Sequence, residues 1–190
     1  MLSQRPSRRS RTEPFFVGFA GRIGAGKTSA AKHLSSKYGF QYTRYSQVLE
    51  EWLSPSKRDR DRLQELGWDI MAGGRQVELN SRLIAGLDRS RNTAIDGLRH
   101  PSDFDSLSSA FGVSFDMIFL EARAECRFER MRARFPTRAA FEAAESQPVE
   151  AYIDSLKPLA SVTISNDDSL VRLYQRLDEW IAAGGAGDYK

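Results

Sequence analysis

Apolar positions along this chain fall into short blocks whose spacing switches between the period of a strand and that of a helix. Residues 14–20 form an apolar run rich in β-formers, and a glycine-rich segment, Gly21–Gly26, follows at once. Ala30, Ala31, Leu34 and Tyr38 then recur at helical spacing, with Gly39 as the stop. Phe40–Tyr45 reads as a second strand. From Ser46 to Arg91 the pattern is helical and polar, with apolar faces at Val48, Leu49, Trp52 and Leu53, at Leu63, Leu66 and Ile70, and at Val77, Leu83, Ile84 and Leu87. Thr93–Asp96 is a brief strand ending in an acid before Gly97, and Asp103–Ala110 is a short helix. Phe115–Leu120 is a buried strand, and residues 124–134 are helical with Phe128 and Met131 turned to the core. Val162–Ser165 is the last strand, with Asn166-Asp167-Asp168 as candidate caps for a final amphipathic helix carrying Leu170, Leu173, Tyr174, Leu177, Trp180 and Ile181. Strands alternating with helices predict a mostly parallel sheet covered on both faces, an α/β fold.

Composition narrows the classes. With 190 residues and 41% apolar content, one compact domain is expected over 14–183. No stretch approaches the roughly 20 apolar residues of a membrane span, so a soluble, cytoplasmic protein is expected, with no membrane partner. The net charge of +3 is uneven: Arg5, Arg8, Arg9 and Arg11 stand in a Ser/Arg/Pro-rich leader, and the rest carries 24 basic against 25 acidic residues. Residues 1–13 are expected to be a disordered basic tail and 184–190 a flexible one. A near-neutral body gives no electrostatic case for binding duplex nucleic acid. The single cysteine, Cys126, excludes an intrachain disulfide and a multi-cysteine metal site.

The chemistry is concentrated in Gly21-Arg22-Ile23-Gly24-Ala25-Gly26-Lys27-Thr28, which fits G-x-x-x-x-G-K-[ST] at every fixed position. Glycines let a backbone turn sharply enough to aim successive N–H groups at phosphate oxygens, and the helix opening at Lys27 adds its positive end. Lys27 is the mobile cation for the β- and γ-phosphates, and Thr28 the hydroxyl ligand for Mg²⁺. The motif lies directly between an apolar strand and a helix, the context this reading requires. The Asn-Lys-x-Asp motif of a regulatory GTPase does not occur.

Further segments give the chain a family resemblance: Tyr45–Glu51, Arg60–Gly67, Ile95–Pro101, Arg127–Arg134 and Ser165–Leu170. In order and spacing, over residues 15 to 181, it resembles the small P-loop kinases that include dephospho-CoA kinase and the nucleoside and deoxynucleoside monophosphate kinases. The resemblance implies a three-layer P-loop NTPase fold, with a mostly parallel five-stranded sheet, an acceptor-binding helical region over 46–91 and a helical lid over 124–158. It implies that Gly21, Arg22, Ile23, Gly24, Ala25, Gly26, Lys27, Thr28 and Ser29 bind ATP, and that Asp96 joins Thr28 in ordering Mg²⁺. Arg99 matches a residue that grips the acceptor's phosphate, and Ser46, Arg60 and Gln64 match acceptor-binding positions. Arg127, Arg130 and Arg134, at i, i+3 and i+7, match lid arginines that neutralise charge in flight. Asn166 matches a loop bordering the adenine, and also reads as a helix cap.

The match to dephospho-CoA kinases is incomplete. Ala144–Pro148 lacks the arginine those enzymes carry, and Tyr45-Ser46 replaces the acid after the second strand. Ser46-x-Val48-Leu49 and Asp96-Gly97-Leu98-Arg99 look more like monophosphate kinases, and Tyr45, Trp52 and Trp68 are candidates to stack on a base. The expectation is ATP- and Mg²⁺-dependent transfer to a nucleotide monophosphate, which needs no base because the acceptor is already an anion. Transfer to a ribose hydroxyl is the alternative and wants an acid nearby; a nucleotide-binding module with little turnover is the other.

Overall fold

A computed structural model describes residues 14–53 and 60–185, with the side chains of 60, 61, 64 and 149 outside the description. The predicted tail over 1–13, the end of the chain at 186–190 and the candidate side chains of Arg60 and Gln64 therefore lie outside the described residues. Five strands, β1 (Phe16–Ala20), β2 (Gln41–Arg44), β3 (Thr93–Leu98), β4 (Phe115–Glu121) and β5 (Val162–Ser165), form one sheet in the order β2-β3-β1-β4-β5. Every pairing is parallel. Because helices cover both faces, β1 is buried at all five positions and reads as an unbroken apolar run rather than an alternating one.

On one face, α1 (Lys27–Tyr38) and α10 (Leu170–Ala182) pack Leu34, Leu173, Leu177 and Trp180 against Val17, Phe19, Ile118 and Leu120. On the other face lie α2 (Tyr45–Trp52), α3 (Arg60–Ala72), α4 (Gln76–Ala85) and α5 (Pro101–Phe111), which bring Tyr45, Leu83 and Leu107 onto Ile95, Phe115 and Met117. The β4–β5 connection carries α6 (Ala124–Met131), α7 (Arg138–Glu145), α8 (Pro148–Ala151) and α9 (Ile153–Leu156). A small third cluster joins Ile23 of the glycine-rich loop to Phe128 and Phe141, tying that loop to α6 and α7.

The observed boundaries refine the sequence reading. Tyr45 opens α2 instead of closing β2, and β3 runs on to Leu98 through a register shift opposite Phe19/Ala20, where Gly97 has φ 93°. α5 begins at Pro101, with His100 as its cap and Asp103 bonded back to the His100 amide at 3.0 Å. The cap of α10 is Ser169, not Asn166-Asp167-Asp168. Gly184 and Gly185 are part of the fold: their amides bond to Ile181 and Trp180, closing α10 in a Schellman turn. The helix predicted over 124–134 stops at Met131, and turns over 132–134 lead on to Pro136.

Candidate active site

The order β2-β3-β1-β4-β5 puts the loop after β1 at the carboxyl edge of the sheet, at the switch point where parallel α/β folds gather ligands. Three of its glycines adopt positive φ: 139° at Gly21, 78° at Gly24 and 104° at Gly26. A Cβ at Gly21 would lie 2.3 Å from Leu120 O, at Gly24 2.8 Å from Arg127 O, and at Gly26 2.5 Å from Asn166 Nδ2. The loop is thus a cradle that side chains would break from three directions. α1 opens on Gly26 with no side-chain cap and no acid in its first turn, so its leading N–H groups remain available to an anion.

Lys27 Nζ donates to the carbonyls of Gly21 at 2.5 Å and Arg22 at 3.1 Å, so the ammonium stays inside the loop. Desolvation, helped by the charge of Arg99, brings its pKa down to about 8, with Glu150 and Asp96 partly opposing the fall. Thr28 Oγ1 donates to Asp96 Oδ2 at 2.6 Å, and Tyr42 OH donates to the same oxygen at 3.1 Å. Burial, with Asp96 beside it, pushes the Tyr42 phenol up to about 12, so it remains a donor. A hydroxyl and a carboxylate meeting at the head of α1 are the oxygen donors a hard cation such as Mg²⁺ takes, and with the glycine cradle they fit a magnesium–nucleotide pair.

Three arms hold the loop from outside. Arg22 forms a two-pronged pair with Asp154 of α9, at 3.1 and 2.6 Å. Asn166, 1% exposed, donates to Ala25 O at 2.8 Å. Arg127, 6% exposed, donates to Ala122 O at 2.9 Å and Ile23 O at 3.1 Å, and pairs with Glu145 of α7. Beside these arms a cleft of about 370 Å³ opens at the end of β4, lined by Arg22, Ala25, Leu120, Arg127 and Lys157 among others.

The three lid arginines do not form one face. Arg127 points inward beneath the loop, Arg130 is exposed and donates to Asp168 O at 2.9 Å, and Arg134 lies beyond the end of α6 with its guanidinium over Phe135. Arg99 is already paired: its Nη1 donates to Glu150 Oε1 at 2.5 Å. Ser46 accepts from Arg44 at 2.9 Å, and Ser29 sits half-buried in the first turn of α1. Of the aromatic candidates, Tyr45 is buried, Trp52 carries the guanidinium groups of Arg75 and Arg82 over its ring, and Trp68 is exposed. Sequence reasoning did not single out Tyr42, Glu145, Glu150 or Asp154. No local pattern marks them, since each acts on a partner more than 15 residues away.

No protein-family model matches the chain, and no curated protein matches it. Solved structures do. A gluconokinase from Sinorhizobium meliloti 1021 is 15% identical, with a TM-score of 0.63 over 92% of this chain and 95% of its own. An APS kinase from Mycobacterium tuberculosis, in complex with AMPPNP and APS, is 14% identical, with a TM-score of 0.60 over 90% of this chain and 98% of its own. A shikimate kinase from Acinetobacter baumannii, in complex with shikimate, is 16% identical, with a TM-score of 0.55 over 91% and 96%. At these identities the likeness establishes the fold: this chain has the three-layer α/β P-loop architecture in which those kinases are built.

Proposed function

We propose that this protein is an ATP- and Mg²⁺-dependent kinase that transfers the γ-phosphoryl group to a small acceptor held at the carboxyl ends of β2 and β3. The carrying observation is the loop itself: a glycine cradle, with Lys27 inside it and Thr28 bonded to Asp96 at its mouth. The kinase names borne by the structural neighbours support the same reading. Backbone amides of the loop and the opening turn of α1 receive the polyphosphate. Lys27 turns from the Gly21 and Arg22 carbonyls to phosphate oxygens, where its charge offsets the negative charge that spreads during transfer. Thr28 and Asp96 would hold Mg²⁺, which supplies charge neutralisation on the transferring phosphate. Arg130 and Arg134 bound the lid side and add positive charge there, while Asn166 and Arg127 keep the cradle in shape.

Two acceptor chemistries follow from the sequence. A nucleotide monophosphate is favoured by Ser46, Arg60, Gln64 and Arg99. A hydroxyl-bearing acceptor is favoured by one observation of geometry: Arg99, the side chain meant for an acceptor's phosphate, already carries the Glu150 carboxylate.

The test is ADP release measured with nucleoside monophosphates, deoxynucleotides, dephospho-CoA, gluconate, APS and shikimate. We expect ADP to appear only when the right acceptor is added, and Lys27→Ala to lose at least about 10²–10³-fold in turnover while keeping its fold. Tight nucleotide binding with no acceptor-dependent ADP points instead to a binding module, and full activity of Lys27→Ala overturns the role given to that residue.

A further inference from the structure

We propose that Glu150 is the catalytic base of the transfer, receiving the proton of an acceptor hydroxyl. The inference rests on the phosphoryl-transfer reading above and assigns the acceptor's chemistry. Glu150 stands on α8, which opens on Pro148, and its side chain is 1% exposed. Its Oε1 accepts from Arg99, whereas its Oε2 is buried with no hydrogen-bond partner among the described residues. Arg99 directly follows Leu98 at the carboxyl end of β3, and Leu98 pairs with Ala20, the last residue before the glycine loop, which puts the Arg99–Glu150 pair at the same end of the sheet as that loop.

A carboxylate only accepts hydrogen bonds, and leaving a buried acceptor unmet is costly. The group that completes the site must therefore bring a donor. A phosphate dianion brings no proton and adds a like charge beside the carboxylate. A hydroxyl brings the proton that Oε2 lacks. Other acids nearby are already engaged: Asp96 faces Thr28 and Tyr42, and Asp103 receives the amides of Arg99 and His100 on one oxygen and Gln76 on the other. Arg99 then serves as a positioning residue, holding Oε1 so that Oε2 points to the acceptor. In the step, the acceptor oxygen bonds to the γ-phosphorus. The bond from that phosphorus to the bridging oxygen breaks, with its electron pair leaving on ADP. The hydroxyl proton passes to Glu150 Oε2 and goes on to water after product release.

The experiment compares wild type, Glu150→Gln and Glu150→Asp on the same acceptor panel, with AMPPNP affinity measured alongside. We expect a hydroxyl acceptor to be turned over. Glu150→Gln should lower kcat about 10²–10³-fold with little change in KM or AMPPNP affinity, and should remove the acidic limb of the kcat–pH profile. Glu150→Asp should keep that limb and an intermediate rate. Glu150→Gln within about twofold of wild-type kcat overturns the proposal, and so does a parallel loss of AMPPNP binding, which marks a structural role. Wild type that phosphorylates only nucleoside monophosphates at their phosphate overturns it too, yet leaves the kinase reading standing. Absence of acceptor-dependent ADP from wild type with every compound sinks both.

Discussion

Inside the loop, desolvation holds the Lys27 ammonium at about 8, below the ordinary lysine value of 10.5. A polyphosphate laid over it adds negative charge within reach and returns the pKa upward. Nucleotide binding should therefore take up protons above about pH 8, where free Lys27 is partly neutral. Calorimetric titration with AMPPNP in two buffers of different ionisation enthalpy reads this directly. The two enthalpies should differ above pH 8 and agree well below it, and Lys27→Met should abolish the difference; agreement at all pH values contradicts the coupling. The stability consequence has the opposite sign. A lowered lysine pKa means that the fold disfavours the charged form, a penalty complete below the folded value and gone once pH rises past 10.5. At this scale the motif made Gly21 to Thr28 legible, because its chemistry is local. Of the two readings of Asn166, the cap fails, because Ser169 caps α10 and the Asn166 amide is taken by Ala25, 141 residues away.

The arms that hold the loop are a property of elements. Arg127 fastens α6 to Ile23 of the loop and to Glu145 of α7, and it does so from a buried position. Arg127→Leu leaves Glu145 with only the more distant Arg22, 3.9 Å away, and takes the guanidinium donor from two carbonyls, a loss of about 3–5 kcal/mol when a buried pair is broken from one side. Urea unfolding should show that loss, and the double variant with Glu145→Leu should recover part of it, because the half-buried carboxylate no longer lacks its close partner. A single variant within about 0.5 kcal/mol of wild type would show that the clamp contributes nothing net. The helical spacing of Arg127, Arg130 and Arg134 suggested one charged face. Periodicity describes a helix only as far as it runs, and α6 ends three residues before Arg134.

Across the whole molecule, one helical layer is pinned by a cluster around Asp178 of α10. His33, Lys37 and Tyr38 of α1 all reach its carboxylate, at 2.7, 2.7 and 2.8 Å. Burial pushes the Asp178 pKa up, but the hydrogen bonds from Lys37, His33 and Tyr38 outweigh it and bring the carboxyl to about 2. Its folded value is depressed, so its stabilisation is present above the ordinary 3.8 and is lost as pH falls toward 2. Asp178→Asn should thus be less stable than wild type near neutrality, and the two melting curves should converge in acid. A constant gap over that range would place the effect in packing instead.

The chain's own pattern determined the order of its elements, the all-buried first strand and the phosphate cradle, because strand and helix periods, turn glycines and a strand–loop–helix motif are written in near neighbours. Tertiary structure alone decided which distant charges meet. The pairing of Arg99 with Glu150 spans 51 residues and that of Arg22 with Asp154 spans 132, and nothing in the spacing of polar residues ranks one distant partner over another. Ion pairing depends on the through-space position of side chains, which exists only once the sheet and its two helical layers have packed. The pairing of Arg99 with Glu150 therefore became visible only in the fold.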